Sequence, residues 1–276
     1  MTGRPGPAIV GAMQEAVAVS THSTGRERME PVFIEVRQAL IAIIEKHRVT
    51  REEYRAAVAW LESAGSQPHE IPLLLDVFLS PTVDDVNAPD GGTESNVEGP
   101  FYVPGAQLLQ PPCAMPMRPD EPGDALVFSG NVRALDGGPL VGAMLDIWQS
   151  DAAGAYSYIH PDTPPGNLRG RLLTDGAGRF EVRTVIPAPY EIPKDGATGV
   201  LLAALGRAAF RPAHIHVKVT HDGFEPLTTQ IYFEGDPWLD HDVVGAVKPA
   251  LVTRLDRHNG GYSCNYDFVL AQKVGR

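Results

Sequence analysis

The amino-terminal part of the chain places apolar residues at helical spacing. Residues 31–47 repeat apolar positions at intervals of three and four, which is the period of one helix face. A capping box from Thr50 to Glu53 predicts the start of a second helix, and Gly65 predicts its end. A third, short helix is expected over residues 71–79, just before a proline.

After residue 92 the pattern changes to short runs of β-branched and aromatic residues separated by Gly and Pro. This alternation is typical of an antiparallel β-sandwich. The predicted strands are residues 126–133, 144–149, 179–186, 214–220, 228–233 and 262–269. The stretch 187–213 holds few strand-forming residues and predicts a long loop. Loops of that length in compact domains are usually functional.

These patterns predict a mainly β protein with a helical amino-terminal part. We expect a flexible tail at residues 1–29, a helical dimerisation domain at 30–92 and a β-sandwich domain at 93–276. The apolar helix faces exceed what one short bundle can bury, which favours a homodimer interface. The alternative is that these helices cap the sandwich of their own chain.

Composition narrows the classes of partner. The chain has 276 residues and a formal net charge of -11, and it lacks the clustered Lys and Arg that phosphate binding requires, so nucleic acid is not an expected partner. Two cysteines are too few for a disulfide framework and favour a reducing cytoplasm. No run of about 18 apolar residues occurs, so we expect no membrane span.

The chemistry is concentrated in two histidines separated by one residue. His214 and His216 project from the same face of a strand, whereas Ile215 and Val217 project from the other. The pair could offer two nitrogen ligands to a metal ion, or it could be two polar residues on an exposed sheet face. The pattern alone leaves both interpretations open.

Five further segments form an ordered pattern along the chain: Glu98 to Tyr102, Asp146 to Tyr156, Thr174 to Tyr190, Arg211 to His216 and Leu227 to Gln230. Together they resemble the intradiol ring-cleaving catechol dioxygenases, and the match covers nearly the whole chain after the tail. Their order and spacing are those of the family. The resemblance makes the β-sandwich domain the catalytic domain.

The resemblance also implies a cofactor and a reaction. One ferric ion per subunit would be held by Tyr156, Tyr190, His214 and His216. A catechol and O2 would react, and the ring would open between the two hydroxyl-bearing carbons to give a cis,cis-muconate. Tyr190 would also take up a substrate proton, Arg211 would stabilise negative charge that develops on the ring, and Gln230 would line the same cavity.

The identity of the catechol is left open by the sequence. The residues that match the family's ring-contacting positions are Leu73, Asp76, Val97, Gly99, Pro100, Phe101, Val243 and Val244. Asp76 could bind the third hydroxyl of a hydroxyquinol, whereas the small Val243 could leave apolar room for chlorine. The family also implies a homodimer, and a phospholipid between the amino-terminal helices is a further hypothesis.

Two other classes of protein compete with the dioxygenase interpretation. A non-enzymatic β-sandwich binding module would use the histidine strand, Arg211 and Gln230 to bind a small molecule, and it would be colourless. A zinc hydrolase would combine His214 and His216 with a carboxylate such as Asp175 or Glu191, although zinc sites seldom use two tyrosines.

Overall fold

The computed structural model describes residues 23–273, and this part of the chain is mainly β with a helical amino-terminal part. The helices are α1 (Ser23–His47), α2 (Arg51–Ser66), α3 (Glu70–Phe78), α4 (Ser80–Asn87) and α5 (Ala197–Ala204). The strands are β1 (Ala125–Ala134), β2 (Met144–Gln149), β3 (Arg169–Leu173), β4 (Arg179–Val185), β5 (Tyr190–Glu191), β6 (Phe210–Arg211), β7 (His214–Thr220), β8 (Leu227–Phe233), β9 (Val252–Thr253), β10 (Asp256–His258), β11 (Gly261–Asn265) and β12 (Phe268–Leu270).

The first two helices follow the predicted periodicity. Helix α1 begins at Ser23, earlier than expected, so its first turns occupy part of the expected tail, while residues 1–22 of that tail lie outside the described residues. The capping box forms at the start of α2: the Thr50 amide donates to Glu53 Oε2 at 2.7 Å, and the Glu53 amide donates to Thr50 Oγ1 at 3.2 Å. The chain divides into two compact units, one ending at Trp60 and one beginning at Leu61.

Two helices are absent from the sequence prediction. Helix α4 carries Pro81 in its first turn, where a missing amide hydrogen costs nothing, so this proline starts a new helix as well as stopping α3. Helix α5 lies inside the expected loop 187–213. Its Thr198 amide donates to Oε2 of the buried Glu70 at 2.8 Å, which ties the start of α5 to the start of α3.

Two five-stranded sheets form the body of the second unit. One has the order β10-β11-β1-β12, with β4 also paired to β1, and the other has the order β3-β2-β7-β8-β9. Strand β1 pairs in parallel with β11 and β12, and β8 pairs in parallel with β9. The sheets are therefore mixed, and the expectation of purely antiparallel pairing was wrong. The predicted strand at 262–269 is interrupted and forms β11 and β12.

Apolar side chains from both sheets join in one buried core. Strand β1 contributes Leu126 and Phe128, and β7 contributes Ile215 and Val217 from the face opposite its histidines. Because side chains alternate along a strand, this anchoring fixes which way His214 and His216 project. Among the described helices, none has both the length and the apolar composition needed to cross a membrane.

Candidate metal centre

His214 and His216 lie side by side in the middle of the second sheet. Strand β7 runs between β2 and β8, and both imidazoles are about 1% exposed. Their Nε2 atoms are 3.0 Å apart. His214 Nδ1 lies 2.7 Å from the Pro212 carbonyl oxygen, which can only accept, so Nδ1 carries the hydrogen and the Nε2 lone pair is available to a ligand. The interpretation as an exposed polar pair was wrong, since both rings are buried.

Burial keeps the two imidazoles neutral. It lowers the pKa of His214 to about 3, with help from the positive charge of Arg211. The pKa of His216 is lowered well below its ordinary value, first by burial and then by His214 and Arg211. A neutral imidazole is the form that binds a metal.

An aromatic stack fixes the orientation of His216. The Trp148 ring lies on it with centroids 4.6 Å apart and planes within 9° of parallel. Trp148 is directly opposite His216 in the β2–β7 register, so the stack follows from strand pairing. Tyr102 packs against Trp148 in turn, and the centroids of their rings are 4.8 Å apart.

Tyr156 reaches the histidines from the loop after β2. The Asp151 carboxylate accepts hydrogen bonds from the amides of Ala153 and Ala155, which fixes this loop. The Tyr156 side chain is completely buried, and its hydroxyl has no hydrogen-bond partner within 3.5 Å among the described residues. Burial, then the neighbouring Tyr190, raises the pKa of Tyr156 well above its ordinary value.

Tyr190 approaches from the short strand β5, which pairs with β6. In that pairing Tyr190 is opposite Arg211. Its ring centroid is 5.4 Å from that of Tyr156 and 5.7 Å from that of His214. Burial raises the pKa of Tyr190, although the positive charge of Arg211 acts in the opposite direction.

The four predicted ligands therefore converge in one buried place, although they come from three separate segments. They offer two phenol oxygens and two imidazole nitrogens. Phenols with raised pKa values need a nearby positive charge before they ionise, and a phenolate is a hard donor suited to a ferric ion. The buried, unpartnered Tyr156 hydroxyl and the facing Nε2 atoms fit such an ion.

The carboxylates required by the zinc hydrolase alternative do not join this group. Asp175 pairs with Arg179 at 2.9 Å, and Glu191 pairs with Lys194 at 2.6 Å, all four with exposed side chains. Within residues 23–273, no group of three or more His, Cys, Asp or Glu side chains is arranged to hold a metal ion.

A buried hydrogen-bond network surrounds Arg211. The guanidinium donates to Gln230 Oε1 at 2.9 Å and to the Tyr232 hydroxyl at 3.1 Å. Gln230 donates in turn to the Val97 carbonyl at 2.7 Å. Asp242 pairs with Arg211 at 3.0 Å, and the side chains of this ion pair are 3% exposed or less. Asp242 was not predicted from the sequence, because an isolated Asp in a loop carries no motif.

A cavity opens beside Tyr190, Arg211 and His216, and most of the predicted substrate-binding residues line it. They are Leu73, Asp76, Val97, Gly99, Pro100, Phe101 and Val244. Val243 and Gln230, both expected at the cavity, do not line it. The Val243 side chain packs in a buried apolar cluster that also contains Leu73 and Val244, and the Gln230 side chain is held between Arg211 and the Val97 carbonyl. Burial is the main cause of a raised pKa at the Asp76 carboxyl.

Comparisons with known proteins identify the family. The family model for the catechol dioxygenase N terminus matches residues 26–93, and the model described as dioxygenase matches residues 97–272. The chain is 44% identical to a chlorocatechol 1,2-dioxygenase of Rhodococcus opacus over 234 residues, which are 83% of this chain and 91% of that protein.

Solved structures agree with the sequence comparison. The crystal structure of 3-chlorocatechol 1,2-dioxygenase from Rhodococcus opacus 1CP matches with a TM-score of 0.87 and 44% identity, over 90% of this chain and 100% of that one. Hydroxyquinol 1,2-dioxygenase from Pseudomonas putida DLL-E4 matches with a TM-score of 0.84 and 29% identity, over 96% and 99%. The family expected from the sequence is confirmed: the chain belongs to the intradiol catechol dioxygenases.

Proposed function

We propose that this intradiol dioxygenase opens the ring of chlorinated catechols with O2 to give chlorinated cis,cis-muconates. The observation that carries the proposal is the convergence of Tyr156, Tyr190, His214 and His216 beside a mostly apolar cavity. The same cavity is lined by Arg211, whose charge suits an anionic catecholate.

One ferric ion per subunit is the proposed cofactor, and these four side chains are its proposed ligands. When bound, the ion would supply the positive charge that favours phenolates over phenols and would withdraw electron density from a catecholate. Tyr190 is the proposed base, because it is the tyrosine of the pair that lines the cavity. Its phenolate oxygen can accept a proton from the catechol hydroxyl.

Arg211 and Gln230 are the proposed catalytic partners. Arg211 is held at the cavity wall by its hydrogen bonds, so its charge can stabilise negative charge on the ring without first reorganising. Gln230 is fixed at both ends of its amide, by Arg211 and by the Val97 carbonyl. We propose that it orients Arg211.

The proposed preference for chlorine rests on the apolar wall. Leu73, Val97 and Val244 line the cavity, and a chlorine substituent gains from contact with such side chains. The identity of 44% to a chlorocatechol enzyme, against 29% to a hydroxyquinol enzyme, supports the same choice. Asp76 favours hydroxyquinol as a second candidate, since its carboxyl could bind a third hydroxyl. Steady-state kcat/KM for 3-chlorocatechol, hydroxyquinol and catechol decides between them.

The test of the centre is the visible absorption spectrum of the iron-loaded protein, before and after anaerobic addition of catechol. We expect a broad tyrosinate-to-iron band that shifts when catechol binds. Tyr156→Phe and Tyr190→Phe should each change the band, whereas Tyr158→Phe, which alters a half-exposed tyrosine of the same loop, should not. A protein that stays colourless with added iron would favour the non-enzymatic binding module.

We also propose the domain arrangement predicted from the sequence: a tail at 1–29, a helical dimerisation domain at 30–92 and a catalytic domain at 93–276 in which the two sheets pack face to face as a β-sandwich. Helix α1 exposes a row of large apolar side chains, including Phe33 at 70% and Leu40 at 55%. Such a row on one helix is typical of an interface.

The proposed interface has a direct test. The double variant Phe33→Glu and Leu40→Glu should turn a homodimer into a monomer in sedimentation velocity experiments. The matched double change Glu35→Gln and Glu45→Gln, on the same helix, should leave the dimer intact. Mass spectrometry of an organic extract tests the accompanying proposal that a phospholipid binds among these helices. A monomeric, lipid-free wild type would overturn both.

A further inference from the structure

Asp242 is not one of the four converging side chains, yet both of its carboxylate oxygens accept hydrogen bonds from Arg211 and from the backbone of its own loop. Oδ1 accepts from Arg211 Nε at 3.0 Å, and Oδ2 accepts from Arg211 Nη2 at 3.2 Å. The same oxygens accept from the backbone amides of Val244 at 3.2 Å and Ala246 at 3.0 Å. One carboxylate therefore holds both the cation and the loop that carries Val244 into the cavity wall.

The geometry fixes the plane of the guanidinium. Asp242 binds the edge formed by Nε and Nη2, and Gln230 Oε1 and the Tyr232 hydroxyl also accept from Nη2. A planar fork held along one edge cannot rotate away from the cavity, which sets where its charge lies. The ion pair is buried, so the interaction is little screened by solvent.

The loop that contains Asp242 also makes hydrogen bonds that do not involve the carboxylate. Val243 hydrogen-bonds through its backbone to Phe210 and Arg207, and Asn96 donates to the Ala246 carbonyl at 2.6 Å. The amides of Val244 and Ala246, by contrast, turn inward to Asp242. A change in the carboxylate would thus shift Arg211 and Val244 together.

We propose that Asp242 is a second positioning residue of this site: it aims Arg211 at the bound ring and, through the same carboxylate, sets the cavity wall at Val244. The proposal rests on the proposed function, because it concerns the role of Arg211 in ring cleavage. Asp242 does not line the cavity, so it acts through other residues and not on the substrate.

The experiment compares Asp242→Asn and Asp242→Glu with wild type, each loaded with iron. Asparagine replaces an acceptor oxygen by a donor, and glutamate keeps the charge but displaces it by one methylene. We expect kcat per bound iron to fall about tenfold or more in both variants. The dissociation constant for catechol, measured anaerobically from the shift of the visible band, should change less than about threefold. The ratio of kcat/KM for 3-chlorocatechol to that for catechol should also change.

Asp175→Asn is the matched control. Like Asp242, Asp175 binds an arginine and two backbone amides, those of Ala177 and Arg179, but it does not line the cavity. It should lower thermal stability while leaving kcat per iron and the substrate ratio unchanged. If Asp242→Asn fails to fold, Asp242→Glu still distinguishes positioning from charge balance. Glutamate keeps the negative charge, so a residue needed only for charge balance would retain full kcat in that variant.

Wild-type kcat per iron in a folded, loaded Asp242→Asn or Asp242→Glu protein would overturn the inference alone. Wild-type kcat in Arg211→Met would overturn the role of Arg211, and the inference with it. Failure of the iron-loaded wild type to cleave any catechol would overturn the proposed function itself.

Discussion

The Nε2 atoms of His214 and His216 face each other at 3.0 Å inside the protein. The two residues are alternate members of one strand, so the pleat directs both rings to one side, and burial keeps both rings neutral. Two neutral nitrogen donors therefore lie beside two tyrosines, which is a donor set suited to a metal ion.

The buried histidines should make the metal-free protein sensitive to acid. The pKa of His214 is lowered from 6.5 to about 3 in the folded state, so between these values the unfolded chain binds a proton that the folded chain does not. The free energy of unfolding should therefore fall as pH is lowered, by about 1.4 kcal/mol per pH unit for this residue. Carboxylates with lowered pKa values, such as Asp242, act in the same direction only below about pH 4.

Urea denaturation at several pH values between about 4.5 and 6.5 checks this. His214→Gln should reduce the slope of unfolding free energy against pH, whereas His258→Gln, at an exposed strand position, should not. An unchanged slope in His214→Gln would show that this ring is not buried in its neutral form.

Side chains on the β7 face opposite the histidines should affect the stability of the fold but not iron binding. Ile215 is fully buried, so Ile215→Ala should cost about 2–5 kcal/mol and Ile215→Val about 0.5–1.5 kcal/mol. Ile159→Ala, at a 44% exposed position, should stay within about 0.5 kcal/mol of wild type. Denaturation curves give the energies. Loss of iron from Ile215→Val, at nearly unchanged stability, would contradict the separation of the two faces.

Gly154 should be required for the position of Tyr190. Its φ is +83°, and an added Cβ would lie 2.8 Å from Tyr190 Cβ. Gly154→Ala should therefore cost about 1–3 kcal/mol and alter the tyrosinate band of the iron-loaded protein. Gly176→Ala adds the same methyl group where no heavy atom lies within 4 Å, and should leave the band unchanged. The same spectrum in both variants would mean that Tyr190 does not bind the iron.

A larger side chain in the cavity should lower activity on chlorinated catechols more than activity on catechol. Leu73 lines the cavity, and Leu75 on the same helix is 46% exposed. Leu73→Phe should lower kcat/KM for 3-chlorocatechol about tenfold more than kcat/KM for catechol, because the substituted ring needs the space. Leu75→Phe should lower neither. An equal loss for both substrates in Leu73→Phe would show that Leu73 does not contact the substituent.

Much of the local structure and the family could be predicted from the sequence alone. Periodicity located α1, α2 and most of the long strands, because a helix face and a strand face are set by residues close in the chain. Motif order also identified the family, which the comparisons confirm. The residues expected at the metal centre do lie together, and their roles remain predictions.

Contacts between groups far apart in the chain became known only from the folded structure. Asp242 and Arg211 are 31 residues apart, and Glu70 and Thr198 are 128 apart, yet each pair satisfies a buried polar group that neither local sequence reveals. The sequence also does not reveal which of the neighbours Val243 and Val244 lines the cavity; in the structure it is Val244. Buried charges and amides must find partners wherever the chain brings them. That requirement acts across the fold, so no local pattern encodes it.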